Sequence, residues 1–177
     1  ATNANSISND VIVSLCIDHN KKLWIGSYYG GLDCYDGQRF IHYKNDPQNA
    51  TSISDNSIWE IYEDAQQQLW IGTLSGGLNR FHPEINGFYT YRKGNGSVNS
   101  NYISAMAEDQ DGSLWVGTEA GISVLNKKTG GFTYYQHDSK DKGSLGNNNV
   151  TALLKDSRGN MWVATRDGLN FFDKTTH

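Results

Sequence analysis

Leu114-Trp115-Val116-Gly117-Thr118 is one of four closely related pentapeptides in this sequence of 177 residues. The other three surround Trp24, Trp70 and Trp162, so successive tryptophans are separated by 46, 45 and 47 residues. A period of this length is typical of a chain built from structural repeats. The sequence therefore divides into four units of roughly 46 residues.

Each unit contains more than the tryptophan. An aspartate lies six residues before it in every copy, and these aspartates are Asp18, Asp64, Asp109 and Asp156. Each unit offers four runs of about four to seven β-branched and aromatic residues, separated by Gly, Asn, Asp and Ser, which predicts four strands. In Asp109-Gln110-Asp111-Gly112 the aspartate stands where a hairpin turn needs an Asx side chain, and Gly supplies a positive φ.

Four-stranded units that recur every 40 to 50 residues are typical of β-propeller blades. We predict an all-β fold in which residues 1–177 form a single β-propeller segment of about four four-stranded antiparallel blades. The repeats cover approximately residues 6–45, 52–93, 97–137 and 144–177. Both faces of each sheet should be buried between neighbours, with Trp24, Trp70, Trp115 and Trp162 filling the gaps between blades.

Composition excludes several classes of protein. Hydrophobic residues make up 37% and charged residues 19%, and the net charge is −4. This balance is that of a soluble globular protein, and it disfavours disorder and a nucleic-acid surface. Since no apolar run approaches the roughly 18 residues of a spanning helix, we expect no membrane contact by this segment.

Sequence motifs for catalysis are absent. There is no phosphate loop, no zinc-binding helix and no nucleophile elbow. The five histidines share no repeat position. The stretch 109–113 resembles the start of a calcium loop, but Ala120 stands where the bidentate acid is needed, which favours a turn. We therefore predict no catalytic residue, no metal and no cofactor in this chain.

The combination of motifs resembles the two-component regulator propeller repeat. An aspartate six residues before Leu-Trp-Ile-Gly-Thr, followed by Gly-Gly-Leu or Gly-Leu, carries the resemblance, which is strongest at Asp64 to Phe81 and Asp109 to Leu125. The fourth copy departs from it, with Ala164 in place of Gly. The resemblance implies the periplasmic sensor region of a bacterial membrane histidine kinase, often a hybrid two-component kinase of Bacteroides-like bacteria.

The same resemblance implies partners. Such proteins carry further blades, a small β-sandwich domain, a transmembrane helix and cytoplasmic signalling domains, and they typically sense glycan breakdown products. The fourth unit here stops at residues 173–177, just after its third predicted strand. We therefore expect a fragment of a larger propeller whose last blade is incomplete, with homodimer formation through the open edge as a second way to cover it.

Positions that differ between copies are candidates for binding. The turn between the second and third strands varies most and carries Tyr28, Tyr29, Glu119, Arg166 and Asp167. One further aromatic residue, Trp59, lies outside the tryptophan period. Aromatic faces suit sugar rings, and the charged groups suit hydroxyls or a uronate carboxylate. Alternatively, the tyrosines pack on a neighbouring blade and Arg166 is a solvated loop charge.

Three functions follow from this reading. The first is a non-catalytic ligand-sensing segment that responds to an oligosaccharide or polysaccharide fragment. The second is a structural spacer and dimerisation surface, with ligand bound elsewhere. The third, a polysaccharide lyase or hydrolase built on a propeller, lacks support because the sequence offers no pair of carboxylates that the repeats bring together.

Overall fold

The structure is a computed structural model that describes residues 5–173. Within them it contains fifteen β-strands and one short 3-10 helix, Pro83–Ile85. The strands are β1 (Ile12–Ile17), β2 (Leu23–Ser27), β3 (Gly31–Tyr35), β4 (Phe40–Tyr43), β5 (Ile58–Glu63), β6 (Leu69–Thr73), β7 (Leu78–His82), β8 (Gly87–Tyr91), β9 (Ile103–Glu108), β10 (Leu114–Thr118), β11 (Gly121–Leu125), β12 (Phe132–Tyr135), β13 (Val150–Lys155), β14 (Met161–Thr165) and β15 (Gly168–Phe172).

The strands form four antiparallel sheets in which sequence neighbours pair. The orders are β1-β2-β3-β4, β5-β6-β7-β8 and β9-β10-β11-β12, and the fourth sheet contains β13-β14-β15 within the described residues. This arrangement confirms the predicted all-β fold of propeller blades, including the three-stranded last blade. The tryptophan lies on the second strand of every sheet.

The chain divides into two compact units, residues 1–91 and 92–177, each with two sheets. In the first unit the two sheets pack face to face around Trp24, Leu32, Ile58 and Ile71. The core of the second unit is built from the corresponding elements, and it includes Trp115, Ile122, Val150 and Val163. Two blades thus share one continuous apolar core in each unit.

The recurrent aspartate joins each hairpin turn to the tryptophan. One carboxylate oxygen, Oδ2, accepts the indole N–H at 2.9 to 3.1 Å in all four sheets. The other, Oδ1, accepts backbone N–H groups of the turn, such as those of Gln66 and Gln68 on Asp64. A single side chain therefore shapes the turn and fixes the orientation of the indole ring.

A glycine two residues after the tryptophan lets the neighbouring sheet approach. A Cβ placed on Gly26 would lie 2.6 Å from Cγ2 of Ile58, and one on Gly117 would lie 2.6 Å from Cγ1 of Val150. Real Cβ atoms are not found at such distances from other carbon atoms. The glycine is thus required by the contact between sheets.

The expectation that both faces of every sheet are buried is wrong for the first and last sheets. All six residues of β9 are buried, whereas Leu15 on β1 is 61% exposed and Leu154 on β13 is 62% exposed. The first sheet packs on the second through its other face, around Trp24 and Cys34. Exposed apolar side chains therefore lie on the first and last sheets of the described chain.

Across residues 5–173 there is no helix long and apolar enough to cross a membrane.

Candidate functional site

The turn between the second and third strands lies beside the segment that enters the first strand of the same sheet. The first residue of the turn donates its backbone N–H to that segment: Tyr28 to the carbonyl of Val11, Leu74 to Ser57, and Arg166 to Asn149, at 2.9 to 3.0 Å. These bonds hold a variable turn on a rigid sheet. The variable side chains and the entry segment thus form one surface at one end of each blade.

In the first unit this surface carries Tyr28 and Tyr29. Their ring centroids lie 4.0 Å apart with planes inclined by 49°, and the Tyr28 hydroxyl donates to the Tyr29 hydroxyl at 3.1 Å. This hydrogen bond raises the pKa of Tyr28. Tyr29 has a positive φ of 66° and is 67% exposed, so an aromatic face points to solvent. The pair is a small exposed aromatic surface.

Trp59 lies on β5, where the register of β5 against β6 shifts between Ile58 and Glu60. Shifts of this kind mark a β-bulge, which redirects a side chain at the edge of a sheet. The first strands of the other sheets show the same irregularity at the equivalent position. Trp59 is half-buried there, and it occupies a position held by smaller side chains in the other three copies.

In the second unit two of the charged candidates act electrostatically on a residue that sequence reasoning missed. The side chains of Glu119 and Arg166 both act on Tyr102: burial chiefly raises the pKa of its hydroxyl, Arg166 lowers it and Glu119 raises it. The Ser100 hydroxyl donates to Oε1 of Glu119 at 3.1 Å. Arg166 and Glu119 thus act with opposite sign on the Tyr102 hydroxyl.

The remaining candidate, Asp167, follows Arg166 in the exposed turn, and its backbone N–H donates to Oγ1 of Thr165 at 3.3 Å. The missed residue, Tyr102, precedes β9 at a repeat position held by Val11, Ser57 and Asn149 in the other copies. The variability of that position was the signal that could have identified it.

A serine, a histidine and an aspartate do meet in the first unit. Ser8 donates its backbone N–H and its hydroxyl to the fully buried carboxylate of Asp33, both at 2.6 Å. His42 places Nδ1 at 2.7 Å from Oδ1 of Asp33 and at 3.0 Å from Oγ of Ser8. A catalytic triad needs the serine and the carboxylate on opposite ring nitrogens. Here both contact Nδ1, so the cluster holds the entry segment onto β3.

Equivalent bonds recur in the other sheets, which supports this structural role. Asn79 accepts the Ser54 backbone N–H at 3.1 Å, and Asn170 accepts that of Gly146 at 2.7 Å. The stretch considered for calcium is likewise occupied by protein donors, since Asp109 binds the N–H groups of Asp111 and Ser113 and the indole of Trp115. In residues 5–173 no group of three or more His, Cys, Asp or Glu side chains is placed to hold a metal ion.

These features define the class of the protein: a β-propeller of repeated blades that presents variable turns at one end of each blade. The family model for the two component regulator propeller matches residues 6–29, 52–75, 97–120 and 144–167, which together make up more than half of the chain. The chain belongs to the two-component regulator propeller family. No curated protein sequence matches it.

Similar solved structures agree with this assignment. The extracellular domain of a protein assigned as a hybrid two-component system of B. thetaiotaomicron is 27% identical, with a TM-score of 0.69 over 96% of this chain and 29% of that one. The extracellular domain of a protein assigned as a one-component system of the same bacterium is 25% identical, with a TM-score of 0.77 over 94% of this chain and 22% of that one. This chain thus spans less than a third of either domain.

The fold is also shared with an enzyme. Virginiamycin B lyase from Staphylococcus aureus is 11% identical, with a TM-score of 0.68 over 98% of this chain and 56% of that one. At this identity the likeness shows the fold alone. Propeller blades are therefore compatible with chemistry and with recognition, and the side chains must distinguish the two.

Proposed function

We propose that this chain is a non-catalytic, ligand-sensing part of the extracytoplasmic propeller of a two-component signalling protein. The family supports this proposal, and so do the two similar Bacteroides structures, which are extracellular domains. The parent protein would be a histidine kinase with its catalytic domains outside these residues. The propeller would face the periplasm.

The observation that carries the proposal is the pair of exposed charged residues in the variable turns of the second unit: Arg166, and Glu119, whose Oε1 accepts a hydrogen bond from the Ser100 hydroxyl at 3.1 Å. Arg166 is exposed in a turn whose backbone is held by the carbonyl of Asn149 at 3.0 Å. An arginine in this setting offers charge-assisted, bidentate hydrogen bonds to a carboxylate. Glu119 can accept hydrogen bonds from hydroxyl groups of the same ligand. We infer that the second unit binds an acidic glycan fragment, such as a uronate-containing oligosaccharide.

The aromatic surface of the first unit supports the same class of ligand. The exposed Tyr29 ring offers a flat apolar face with a polar edge, as sugar rings require. Its contact with the Tyr28 ring limits its freedom, which reduces the entropy lost on binding. We propose that Tyr28 and Tyr29 form an aromatic subsite for a glycan fragment.

The proposal that the chain is non-catalytic rests on the hydrogen bonds that several of its acidic side chains make within the fold. The turn aspartates each bind several N–H donors, and the Asp33 carboxylate is enclosed by Ser8 and His42. Groups committed to structural hydrogen bonds are poorly placed to exchange protons with a substrate. Recognition by exposed turns is then the function that these side chains serve best.

Calorimetry on the complete extracytoplasmic region tests the proposal, with neutral and uronate-containing oligosaccharides as probes. We expect saturable binding of an acidic oligosaccharide, weakened at least tenfold by Arg166→Ala. Arg158→Ala is the matched control, because Arg158 is an exposed arginine in the β13–β14 turn at the other end of the blade. Product formation from any of these glycans, or no saturable binding of any of them, would contradict the proposal.

A second candidate function is a structural spacer that dimerises. The exposed apolar side chains of β1 and β13, among them Leu15, Ile17 and Leu154, favour it, because such patches mark interaction surfaces. In cells, the combined change of Arg166→Glu, Tyr28→Ala and Tyr29→Ala separates the two functions. An unchanged response to ligand would support the spacer, whereas a lost response with normal protein levels would support the sensor.

A further inference from the structure

Two Asn-Gly steps occur in the sequence, at Asn86-Gly87 and at Asn95-Gly96. Asparagine is among the thermolabile residues of proteins, because its side-chain amide can react with the backbone of the next residue. A following glycine favours this reaction, since it has no Cβ to hinder the approach and its backbone is the least restricted. The two steps have the same sequence, so the structure decides which of them reacts.

The reaction needs freedom of movement at both residues. The backbone nitrogen of the glycine gives up its proton and attacks Cγ of the asparagine, so that a C–N bond forms, the Cγ–Nδ2 bond breaks and Nδ2 leaves as ammonia. Water then adds to either carbonyl carbon of the cyclic imide and reopens the ring. The product is aspartate, or isoaspartate in which the main chain runs through the former side chain. Both carry one more negative charge than asparagine.

The Asn86-Gly87 step is held by several contacts. Asn86 ends the 3-10 helix with a φ of 49°, and its backbone N–H donates to the carbonyl of Pro83 at 3.1 Å. Its side-chain oxygen accepts the Tyr43 hydroxyl at 2.8 Å. Gly87 is buried as the first residue of β8, where a Cβ would lie 2.8 Å from the carbonyl oxygen of Thr51. Ring closure here would have to open the start of β8.

The Asn95-Gly96 step lies in a turn between β8 and β9. Both residues are exposed, and a Cβ built on Gly96 would meet nothing within 4 Å beyond its chain neighbours. Gly96 has a positive φ of 72°, which glycine adopts without strain. The backbone bonds that close the turn, from Gly94 to Val98 at 3.3 Å and from Ser97 to Gly94 at 3.2 Å, are longer than a typical N–H···O bond. Little therefore opposes a rearrangement of this step.

Hydrogen bonds on both sides of the turn confine the change. The Lys93 backbone N–H donates to Oδ1 of Asn101 at 2.7 Å, and the Ser97 carbonyl accepts the Tyr134 hydroxyl at 2.7 Å. Ring closure at Asn95 takes place between these two anchors. It therefore requires neither β8 nor β9 to open, and the reaction can proceed in the folded protein.

We propose that Asn95 is a site of spontaneous deamidation in the folded protein and that Asn86 is protected from it. The first compact unit ends at residue 91, so the new charge is placed just after the chain enters the second unit. An isoaspartate at this position also lengthens the main chain of the turn by one atom. Aged protein is then a mixture whose members differ in charge and in the backbone of this turn.

Peptide mapping by mass spectrometry tests the proposal, since trypsin places the two steps in different peptides, residues 81–92 and 94–127. The 177-residue protein is incubated at mildly alkaline pH, in native buffer and in guanidinium chloride. In native buffer the mass gain of about 1 Da, from exchange of NH2 for OH, should appear at Asn95 at least tenfold faster than at Asn86. In denaturant the two rates should agree within about threefold, because only the local sequence then matters.

Two results would overturn the proposal. One is an equal rate at Asn86 and Asn95 in native buffer, and the other is a rate at Asn95 that is more than tenfold slower in native buffer than in denaturant. Circular dichroism checks that the native sample stays folded during the incubation.

The variant Asn95→Gln locates the reaction within its peptide, which also contains Asn99 and Asn101. Glutamine keeps the amide but needs a six-membered ring, so the mass gain of peptide 94–127 should slow at least tenfold while that of peptide 81–92 stays the same. An unchanged rate in peptide 94–127 of this variant would place the reaction at another residue and contradict the assignment to Asn95.

Discussion

Asp64 accepts the indole N–H of Trp70 at 2.9 Å, and both residues are buried. The same carboxylate binds the N–H groups of Gln66 and Gln68 through its second oxygen. The side chain therefore connects a surface turn to the buried tryptophan of the same sheet. Because the arrangement recurs four times, it accounts for the spacing of six residues between aspartate and tryptophan throughout the sequence.

Removal of the Asp64 carboxylate should lower the free energy of unfolding. Asp64→Ala leaves the buried indole N–H and two turn N–H groups without their acceptor, so we expect a loss of about 2 to 4 kcal/mol in the free energy of unfolding. Urea denaturation followed by circular dichroism measures it. Glu84→Ala, at an exposed position in the 3-10 helix, is the control and should change stability by less than about 0.5 kcal/mol. Equal effects of the two changes would contradict the role assigned to Asp64.

Gly117 should not tolerate a side chain. A Cβ at this position would lie 2.6 Å from Cγ1 of Val150, so Gly117→Ala should destabilise the protein by about 1 to 3 kcal/mol through overpacking. Gly94→Ala is the matched control, since its Cβ would meet only the Arg92 carbonyl oxygen at 3.9 Å. Thermal denaturation compares the two. The double variant with Val150→Ala should regain part of the loss, and a failure to do so would place the strain elsewhere.

Much of the fold could be predicted because the same physical requirements apply in each repeat. The hairpin turn needs Asp, the gap between blades needs Trp, and the close approach of sheets needs Gly, so these residues recur at fixed positions. Exposure of Leu15 and Leu154 was not foreseen, since the sequence of a blade does not say which of its faces has a neighbour. Local pattern determines the strands, whereas burial depends on what packs against them.

The candidate site was harder to predict for a related reason. His42 shares no repeat position with another histidine in the sequence, yet it lies opposite Asp33 on the neighbouring strand. Asn79, Ser123 and Asn170 occupy the position of Asp33 in the other sheets. The sequence conceals this equivalence, because Asp33 and Asn79 lie nine residues after the tryptophan of their sheets, whereas Ser123 and Asn170 lie eight residues after it. The proximity of Tyr102 to Arg166 depends on two adjacent blades, and a comparison within one turn does not reveal it.

Removal of the cation from a buried ion pair in the second unit should lower the free energy of unfolding. Lys127 Nζ lies 2.8 Å from Oε1 of Glu108, and both side chains are only 5% exposed. Lys127→Ala would leave a buried carboxylate without its cation, so we expect a loss of about 3 to 5 kcal/mol. Lys128→Ala, at the adjacent exposed position, should have little effect. Denaturant unfolding distinguishes them, and similar midpoints for both variants would show that the pair contributes no more than a surface lysine.

Glu60 should make stability depend on pH near neutrality. Burial raises the pKa of its carboxyl from 4.5 to about 7, so the folded state disfavours the charged form. Well below pH 4.5 the Glu60 carboxyl is neutral in both the folded and the unfolded state, so its titration does not change the free energy of unfolding. As the pH rises through 4.5 towards 7, the unfolded chain ionises first, and stability falls until the folded state also ionises above pH 7.

Glu60→Gln removes this titration and keeps the shape of the side chain. We expect the variant to be about as stable as the parent at pH 4.5 and more stable at pH 8, by on the order of 2 kcal/mol. Urea denaturation at pH 4.5, 6 and 8 measures the difference between the two proteins, which cancels the titration of groups that they share. Glu84→Gln, an exposed acid in the same unit, should show no such trend. A constant difference between Glu60→Gln and the parent from pH 4.5 to 8 would show that the Glu60 carboxyl remains well solvated in the folded protein.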